Sequence, residues 1–303
     1  MLRLTPALVL AAASLLASQP VLASVVAGVR VFPVTLTFDD PGVGDELKMP
    51  HIIVQPEPGT QDGYQMKWEW DKRITPMTSI IYDQGYDWLH PSGSKTRTGF
   101  ENVFVTGKWQ AYTNAEHEFA FSVGVIREFG GNTATQNIGG DAYGSTAPAI
   151  YAGKGLGDLP IGMLRPLAVT GQLSYAIPDR PLNSALDNSG TPRSWNGGLS
   201  VQYSIPYLQS QVHNFDLPDF IGGLIPLVEA TWYSPASKPA GGFPATLTIA
   251  PGVIYFGDGF QIGLEALIPA NRASGRNVGA ALQVFFFFDD MFPDNIIGKP
   301  IFE

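Results

Sequence analysis

The chain has 303 residues, of which 45% are hydrophobic and only 15% charged, with 34 glycines, 25 prolines and no cysteine. Without cysteine, neither disulfides nor thiolate metal sites can form, and the net charge of −9 disfavours binding to nucleic acid or anionic lipid. Low charge combined with many turn-forming residues favours a chain of many short strands over a helical one.

Residues 1–23 have the pattern of a secretory signal peptide. Arg3 precedes the apolar run Ala7 to Leu16, and a small-residue cleavage site ends at Ala23, before Ser24. No later stretch reaches the roughly 18 continuous apolar residues of a transmembrane helix. We therefore expect an exported protein that is either soluble or a β-barrel in a membrane.

Residues 24–47 precede the regular part of the chain. They contain a short apolar run from Val29 to Phe38 and then the acidic, turn-rich stretch FDDPGVGDEL. We expect a periplasmic lead-in, an extra strand or a plug. The carboxylates here and at 289–294 do not have the spacing of an EF-hand calcium loop, so they are interpreted as solvated turns.

From residue 48 to residue 288 apolar residues alternate with small or polar ones, which is typical of β-strands. The last of these segments, 277–288, alternates in the same way and ends in four phenylalanines, as a barrel strand does where it leaves a membrane. The alternation predicts twelve strands, at about 48–56, 62–72, 77–89, 98–112, 117–129, 147–155, 164–178, 196–206, 221–235, 244–256, 260–269 and 277–288.

The lengths of the connections predict how these strands are arranged. The long polar connections 130–146 and 179–195 fall on one side, and the short ones 73–76, 113–116 and 257–259 fall on the other. This asymmetry is typical of outer-membrane barrels, with long loops outside and short turns in the periplasm. The prediction is an all-β protein: a closed, antiparallel, up-and-down transmembrane barrel of about twelve strands.

Two parts depart from this regular picture. The connection 207–220 is long although it falls on the periplasmic side, so it holds either a short helix or a misplaced strand. The segment 277–288 is expected to be the closing strand of the barrel, and the residues after it, 289–303, form a periplasmic tail.

The polar face of the strands should point into the lumen, because Lys or Arg facing lipid near mid-membrane costs about 2–4 kcal/mol. The predicted lumen-lining residues are Gln65, Lys67, Glu69, Asp71, Lys108, Gln110, Glu118, Gln172, Gln202, Glu229, Gln261, Glu265 and Gln283. Twelve strands make a barrel larger than the filled eight-stranded kind and smaller than an open porin, so a narrow or plugged channel is expected.

No motif in the sequence indicates catalysis, a cofactor or a metal. The four histidines have no metal-ligand spacing, and the glycine-rich stretch 153–158 lacks the Lys-Ser/Thr end of a phosphate loop. A lipid hydrolase is less favoured but stays open, since a Ser/His pair on neighbouring strands would be invisible in sequence. The favoured function is a passive channel or transporter for small molecules, in contact with outer-membrane lipid, and the alternative is a sealed barrel that presents its extracellular loops to a partner.

Four stretches of the chain resemble the outer-membrane barrel family named "MetA-pathway of phenol degradation". They are FDDPGVGDEL (38–47), EWDKRITP (69–76), GKGLGDLP (153–160) and FFFDDMFPDNIIGKPIF (286–302). The resemblance implies a closed barrel in the outer membrane that passes small molecules, apolar ones included. The family name records a pathway association, so the resemblance implies nothing about phenol itself.

Overall fold

The structure is a computed structural model that describes residues 25–56, 61–91, 93–181, 190–236 and 243–302. The signal peptide predicted over residues 1–23 lies outside the described residues and stays a prediction.

Fifteen strands occur in the described ranges. Two short ones, β1 (Val25–Ala27) and β2 (Arg30–Phe32), form a separate antiparallel hairpin. The other thirteen form a single sheet: β3 (Glu46–Val54), β4 (Gln61–Thr75), β5 (Thr78–Pro91), β6 (Arg97–Phe100), β7 (Val103–Asn114), β8 (Phe119–Phe129), β9 (Ser145–Gly155), β10 (Leu167–Pro178), β11 (Ser194–Tyr203), β12 (Leu224–Pro235), β13 (Thr246–Gly257), β14 (Phe260–Pro269) and β15 (Gly279–Phe287).

The sheet closes into a barrel. Each strand pairs antiparallel with its neighbours in sequence, and the last strand, β15, also pairs with the first barrel strand, β3. β6 and β7 pair with successive halves of β5, so they count as one interrupted strand. The described part of the chain therefore forms a closed, up-and-down barrel of twelve antiparallel strands, which confirms the predicted fold class and the closing position of the last strand.

The barrel wall has an apolar outer face and a polar inner face. On β11, Val201 is 45% exposed whereas the next residue, Gln202, is 2% exposed, and on β14 Leu264 and Glu265 are 54% and 2% exposed. This polarity is the reverse of a soluble protein. It suits a lipid environment, because a closed ladder of strands satisfies the backbone hydrogen bonds that lipid cannot. The protein is a membrane-spanning β-barrel.

The two ends of the barrel differ. At one end, called the turn end, the connections 76–77, 115–118 and 258–259 are short. The opposite end, called the loop end, carries the connections 130–144 and 179–193, the first of which contains helix α1 (Thr133–Asn137). The hairpin β1–β2 lies at the turn end, where Gly28 approaches the backbone of Ala115.

The turn end also carries most of the helical residues. The long connection 204–223 folds into α2 (Ile205–Tyr207), a π-helical turn (Leu208–Val212) and α3 (Asp219–Gly222), so it holds short helices rather than a misplaced strand. A fourth helix, α4 (Phe288–Met291), follows β15. None of the helices in the described ranges is long and apolar enough to cross a membrane.

The ladder around β3 is irregular at Pro50. Its register shifts between Lys48 and His51 against β4, and the facing part of β15 shifts as well. Proline cannot donate to a ladder, so it is tolerated at such a bulge. As a result Lys48 and His51, three positions apart, are both buried on the inner face.

Candidate functional site

Residues 33–44, which connect the hairpin to β3, lie inside the barrel and are called the luminal segment. Inward side chains of six strands (β4, β7, β8, β10, β12 and β14) hydrogen-bond to it. The segment starts beside the hairpin at the turn end and returns to β3, whose first residue, Glu46, pairs with Asp71 near the same end. It therefore occupies the lumen as a loop inserted from the turn end.

Two side chains bind the first half of the luminal segment through its backbone. The amide of Gln261 pairs with Val34 in both directions: Val34 N–H donates to Oε1 at 3.1 Å and Nε2 donates to the Val34 carbonyl at 2.6 Å. The carboxylate of Glu229 accepts from Leu36 N–H at 3.1 Å and from Thr37 N–H at 2.9 Å. Both side chains are fully buried, so they supply the partners that a strand would otherwise give.

The opposite wall binds the second half. Gln172 Oε1 accepts from Asp39 N–H at 2.9 Å, and Lys108 Nζ lies 2.7 Å from Asp39 Oδ2 and donates to the Asp40 carbonyl at 3.1 Å. Ser122 donates to the Pro41 carbonyl. The luminal segment is thus held across the full width of the lumen by polar contacts.

Glycines in the wall leave room for the segment's large side chains. A Cβ at Gly198 would lie 2.2 Å from Phe38 Cγ, and one at Gly263 would lie 2.6 Å from Leu36 Cδ1. Real Cβ atoms do not approach other atoms this closely, so a larger residue at Gly263 would shift the tip of the Leu36 side chain. At Gly198 the contact reaches Phe38 Cβ at 2.6 Å, so a larger residue there would displace the segment. The shape of the wall is matched to residues 36–38.

Apolar contacts add to the polar ones. Leu36 packs in a buried cluster with residues of β12, β13 and β14, Val34 packs with Phe285 and Phe287, and Phe32 of the hairpin packs with Ala120 and Ala168. The side chains of Phe32, Val34 and Leu36 are at most 3% exposed. Burying an apolar side chain of this size contributes about 1.5–3 kcal/mol.

A buried ion pair anchors the hairpin. Arg30 donates to Glu118 Oε2 from Nε at 3.1 Å and from Nη2 at 3.0 Å, and its Nη1 donates to the Pro166 carbonyl at 3.1 Å. The guanidinium lies 3.7 Å from the centre of the Tyr207 ring, whose hydroxyl donates to Glu118 Oε1 at 2.7 Å. Burial, followed by the hydrogen bond to Glu118, raises the pKa of Tyr207 to about 12.

Most of the acidic residues beside the luminal segment are buried, which corrects the prediction of solvated turns for Asp40, Asp45, Glu46 and Asp289 but not for Asp294, which is exposed. Asp40, Asp45 and Asp289 are at most 5% exposed. Asp45 pairs with Lys72 and, at 2.8 Å, with Arg73, while Arg73 also lies 3.6 Å from Asp289. The cations that compensate these carboxylates are far away in sequence, and for this reason the local pattern indicated solvent.

Two cavities lie between the luminal segment and the loop end. The larger has a volume of about 650 Å³ and the smaller about 500 Å³. They share Thr37 and Asp39 of the segment and Glu69 and Asp83 of the wall in their linings. The segment therefore forms part of the floor of a polar vestibule.

The structure brings six of the thirteen predicted lumen-lining residues to the luminal segment or the hairpin: Asp71, Lys108, Glu118, Gln172, Glu229 and Gln261. Four others form bonds along the wall. Lys67 pairs with Glu101 at 2.9 Å, Glu69 pairs with Lys48 at 2.5 Å, and Gln65 donates to Glu101 at 2.8 Å. Gln110 stands apart, since its amide donates to Thr113 beside a bulge near the turn end.

The remaining three predicted residues, Gln202, Glu265 and Gln283, are at most 2% exposed. Their side-chain polar atoms have no hydrogen-bond partner in the described part of the chain. That any of the thirteen residues lines a path for solute stays a prediction.

Several residues of the site are not among the thirteen predicted lumen-lining residues. Arg30, Ser122 and Asp45 bind or anchor the luminal segment, and Lys48, His51 and Tyr151 line the cavities. Alternation places Ser122 and Tyr151 inward, so their pattern could have found them. Lys48 and His51 depend on the bulge at Pro50, which periodicity alone does not reveal.

The lipid-hydrolase alternative requires a Ser/His pair. His51 is buried with both ring nitrogens unpartnered, and His117 contacts Asp158, so neither forms a Ser/His pair. No group of three or more His, Asp or Glu residues in the described ranges could hold a metal ion.

Comparison with known proteins gives distant structural likenesses only. No protein-family model and no curated protein matches the chain, so the resemblance to the phenol-degradation family is not confirmed. Among solved structures the chain is similar to a KdgM porin (11% identity, TM-score 0.48, 80% of this chain and 99% of that chain), a NanC porin (9%, 0.48, 80% and 98%) and LpxR from Salmonella typhimurium (11%, 0.42, 80% and 100%). Likenesses this distant carry no argument about function.

Proposed function

We propose that the protein is an outer-membrane channel for small molecules, apolar and aromatic ones among them, and that the luminal segment closes it. In this proposal the signal peptide exports the chain, the loop end faces the outside and the turn end faces the periplasm. The resemblance of four stretches to an outer-membrane barrel family agrees with this function.

The polar contact between wall and segment is the observation that carries the proposal. Gln261, Glu229, Gln172 and Lys108 bind the segment through hydrogen bonds that water could replace. The vestibule at the loop end already offers about 650 Å³ and 500 Å³ of space above the segment. Movement of residues 33–44 would extend that space toward the turn end, and the hairpin, whose Phe32 is buried against Ala120 and Ala168, would move with it to complete the path.

A second function, a sealed barrel that presents its loops to a partner, is favoured by one observation. Phe32, Val34 and Leu36 are buried in apolar clusters of the wall, and water does not replace such contacts. In this alternative the luminal segment is a permanent part of the core.

A disulfide between the segment and the wall separates the two functions. The chain has no cysteine of its own, and a Cβ at Gly198 would lie 2.6 Å from Phe38 Cβ. Phe38→Cys removes the ring that this Cβ would meet, so in Phe38→Cys with Gly198→Cys a shift of about 1 Å brings the two Cβ atoms to the roughly 3.5–4.5 Å of a disulfide. In planar bilayers a channel with a movable segment should conduct when this variant is reduced and stay closed when it is oxidised. Phe38→Cys alone, treated with the same oxidant, is the control.

Two outcomes would overturn the proposal. If neither the wild type nor a variant lacking residues 25–44 passes ions or solute, the sealed barrel is the better account. If the oxidised and reduced forms of the double-cysteine variant conduct equally, the segment is not the gate. Gly198→Ala should open the channel more often, whereas Gly107→Ala should not, because a Cβ at Gly107 meets nothing within 4 Å.

A further inference from the structure

The charged residues that line the larger cavity are all acidic among the described residues. Five acidic side chains and no basic one contribute to its lining among the described residues; they are Asp39, Glu69, Asp83, Glu128 and Asp141. The smaller cavity differs, because Lys48 and Lys67 line it along with Asp39, Glu69 and Asp83.

Ion pairs compensate only two of the five carboxylates. Asp39 pairs with Lys108 at 2.7 Å and Glu69 with Lys48 at 2.5 Å, and neither lysine lines the larger cavity. Asp83, Glu128 and Asp141 form no ion pair within 4.0 Å with a residue of the described ranges. Lys48 and Lys67 interact electrostatically with Asp83, and Arg127 interacts with Glu128, although none of these three cations lines the larger cavity. The lining itself is therefore acidic, in surroundings less polar than water, where a charge acts more strongly than at an open surface.

The carboxylate of Glu128 is held in place for an interaction of this kind. Asn102 donates to its Oε1 at 2.7 Å and Ser145 donates to its Oε2 at 2.8 Å. Burial raises the pKa of Asp141, and the neighbouring Glu128 raises it further. Like charges so close together would be relieved by a cation between them.

Aromatic rings form another part of the same lining: Phe104, Tyr151, Tyr233 and Phe243. The faces of such rings attract cations. Lys108 Nζ already lies 4.8 Å from the centre of the Tyr151 ring, whereas none of the cation–π pairs among the described residues involves Phe104, Tyr233 or Phe243. Tyr151 is 1% exposed, and its hydroxyl has no hydrogen-bond partner in the described part of the chain. A ligand in this cavity could supply the missing partner.

We propose that the larger cavity binds small organic cations, amines with an apolar body, and that the channel therefore prefers cations to anions. The inference rests on the proposed channel function and names its class of solute. Aromatic walls suit an apolar body, and the described acidic groups are not arranged to hold a metal ion.

Binding of two probes of equal size and opposite charge, benzylammonium and benzoate, tests this inference. Calorimetric titration of the detergent-solubilised full chain should show benzylammonium binding at least about tenfold more tightly than benzoate. Raising the salt from about 0.1 M to 1 M should weaken the benzylammonium affinity, because the Debye length falls from about 10 Å to 3 Å.

Charge-neutralising variants locate the site. Asp83→Asn and Glu128→Gln should each weaken benzylammonium binding about tenfold. Asp258→Asn, which removes the same charge from an exposed position at the turn end, should leave it unchanged. If benzoate binds as tightly as benzylammonium, or if Asp258→Asn weakens binding as much as the other two, the inference is wrong.

Conductance measurements test the proposed channel function separately from the cation site. Under a KCl gradient the reversal potential of a conducting wild type should indicate cation selectivity, and Asp83→Asn with Glu128→Gln should reduce it. A barrel that binds benzylammonium but never conducts would refute the channel and leave the cation site standing. A barrel that conducts but has no cation preference and does not bind benzylammonium would refute the cation site and leave the channel function standing.

Discussion

Glu118, in the turn between β7 and β8, ties three distant parts of the chain together. Its carboxylate accepts four hydrogen bonds, two from Arg30, one from Tyr207 and one from Gly157 N–H. The residue has φ of +47°, in the left-handed region that non-glycine residues seldom adopt. A residue keeps such a conformation where the surrounding structure holds it in place. At Glu118 the four hydrogen bonds of the carboxylate hold it.

Removing the carboxylate should therefore be costly. Glu118→Ala would leave the guanidinium of Arg30 buried without its counter-charge, which costs about 3–5 kcal/mol. Tyr207→Phe removes a single hydrogen bond to the carboxylate and should cost about 1.5–3 kcal/mol. Urea unfolding of the refolded barrel, followed by tryptophan fluorescence, measures both. Equal losses in the two variants would show that the ion pair is not what anchors the hairpin.

At the scale of elements, the C-terminal tail forms hydrogen bonds with the end of β4 that lies at the turn end of the barrel. Ile301 N–H and Phe302 N–H donate to the carbonyls of Arg73 and Ile74, and Lys72 Nζ donates to the carbonyls of Ile296 and Lys299 at 2.8 Å and 2.6 Å. Lys72 and Arg73 also bind Asp45, the residue that follows the luminal segment. The tail therefore supports the point where the segment leaves the lumen.

Truncation after Asn295 should destabilise this point. The variant loses the carbonyls that bind Lys72 and the pairing of residues 301 and 302 with β4, each hydrogen bond contributing about 0.5–1.5 kcal/mol. Its urea midpoint should fall clearly below that of the full chain. Lys299→Ala is the matched control, because it removes an exposed pair with Asp294 that should contribute almost nothing. A truncated protein as stable as Lys299→Ala would contradict a supporting role for the tail.

Elements also show what the sequence could and could not predict. The twelve strands could be predicted to within a few residues, because a wall between lipid and lumen requires strict alternation, as at Val201 and Gln202. The path of the luminal segment could not, since its contacts join residues as far apart as Val34 and Gln261. The alternation along the strand predicts that Gln261 faces the lumen, but it does not predict that Gln261 binds Val34.

For the whole molecule, the lumen contains polar side chains that the luminal segment only partly satisfies. Glu229 and Gln261 bind the segment, but Gln202, Glu265 and Gln283 have no hydrogen-bond partner among the described residues. Water entering an opened lumen could bond to all five side chains. The polar interior is thus compatible with a wet lumen, and the stability gained from the segment must come mainly from its apolar contacts and the Arg30 anchor.

Deletion of residues 25–44 should therefore leave a folded barrel that is less stable and more conductive. Loss of Phe32, Val34 and Leu36 from their clusters removes about 1.5–3 kcal/mol per side chain, while the inner polar groups exchange the segment for water. Thermal unfolding and single-channel conductance measure the two effects. Val34→Ala with Leu36→Ala is the control, because it keeps the polypeptide in the lumen but removes its packing. This control should lower stability while conductance stays near that of the wild type. If it conducts as well as the deletion variant, apolar packing keeps the segment in place, and the polar contacts with Glu229 and Gln261 are not sufficient to hold it.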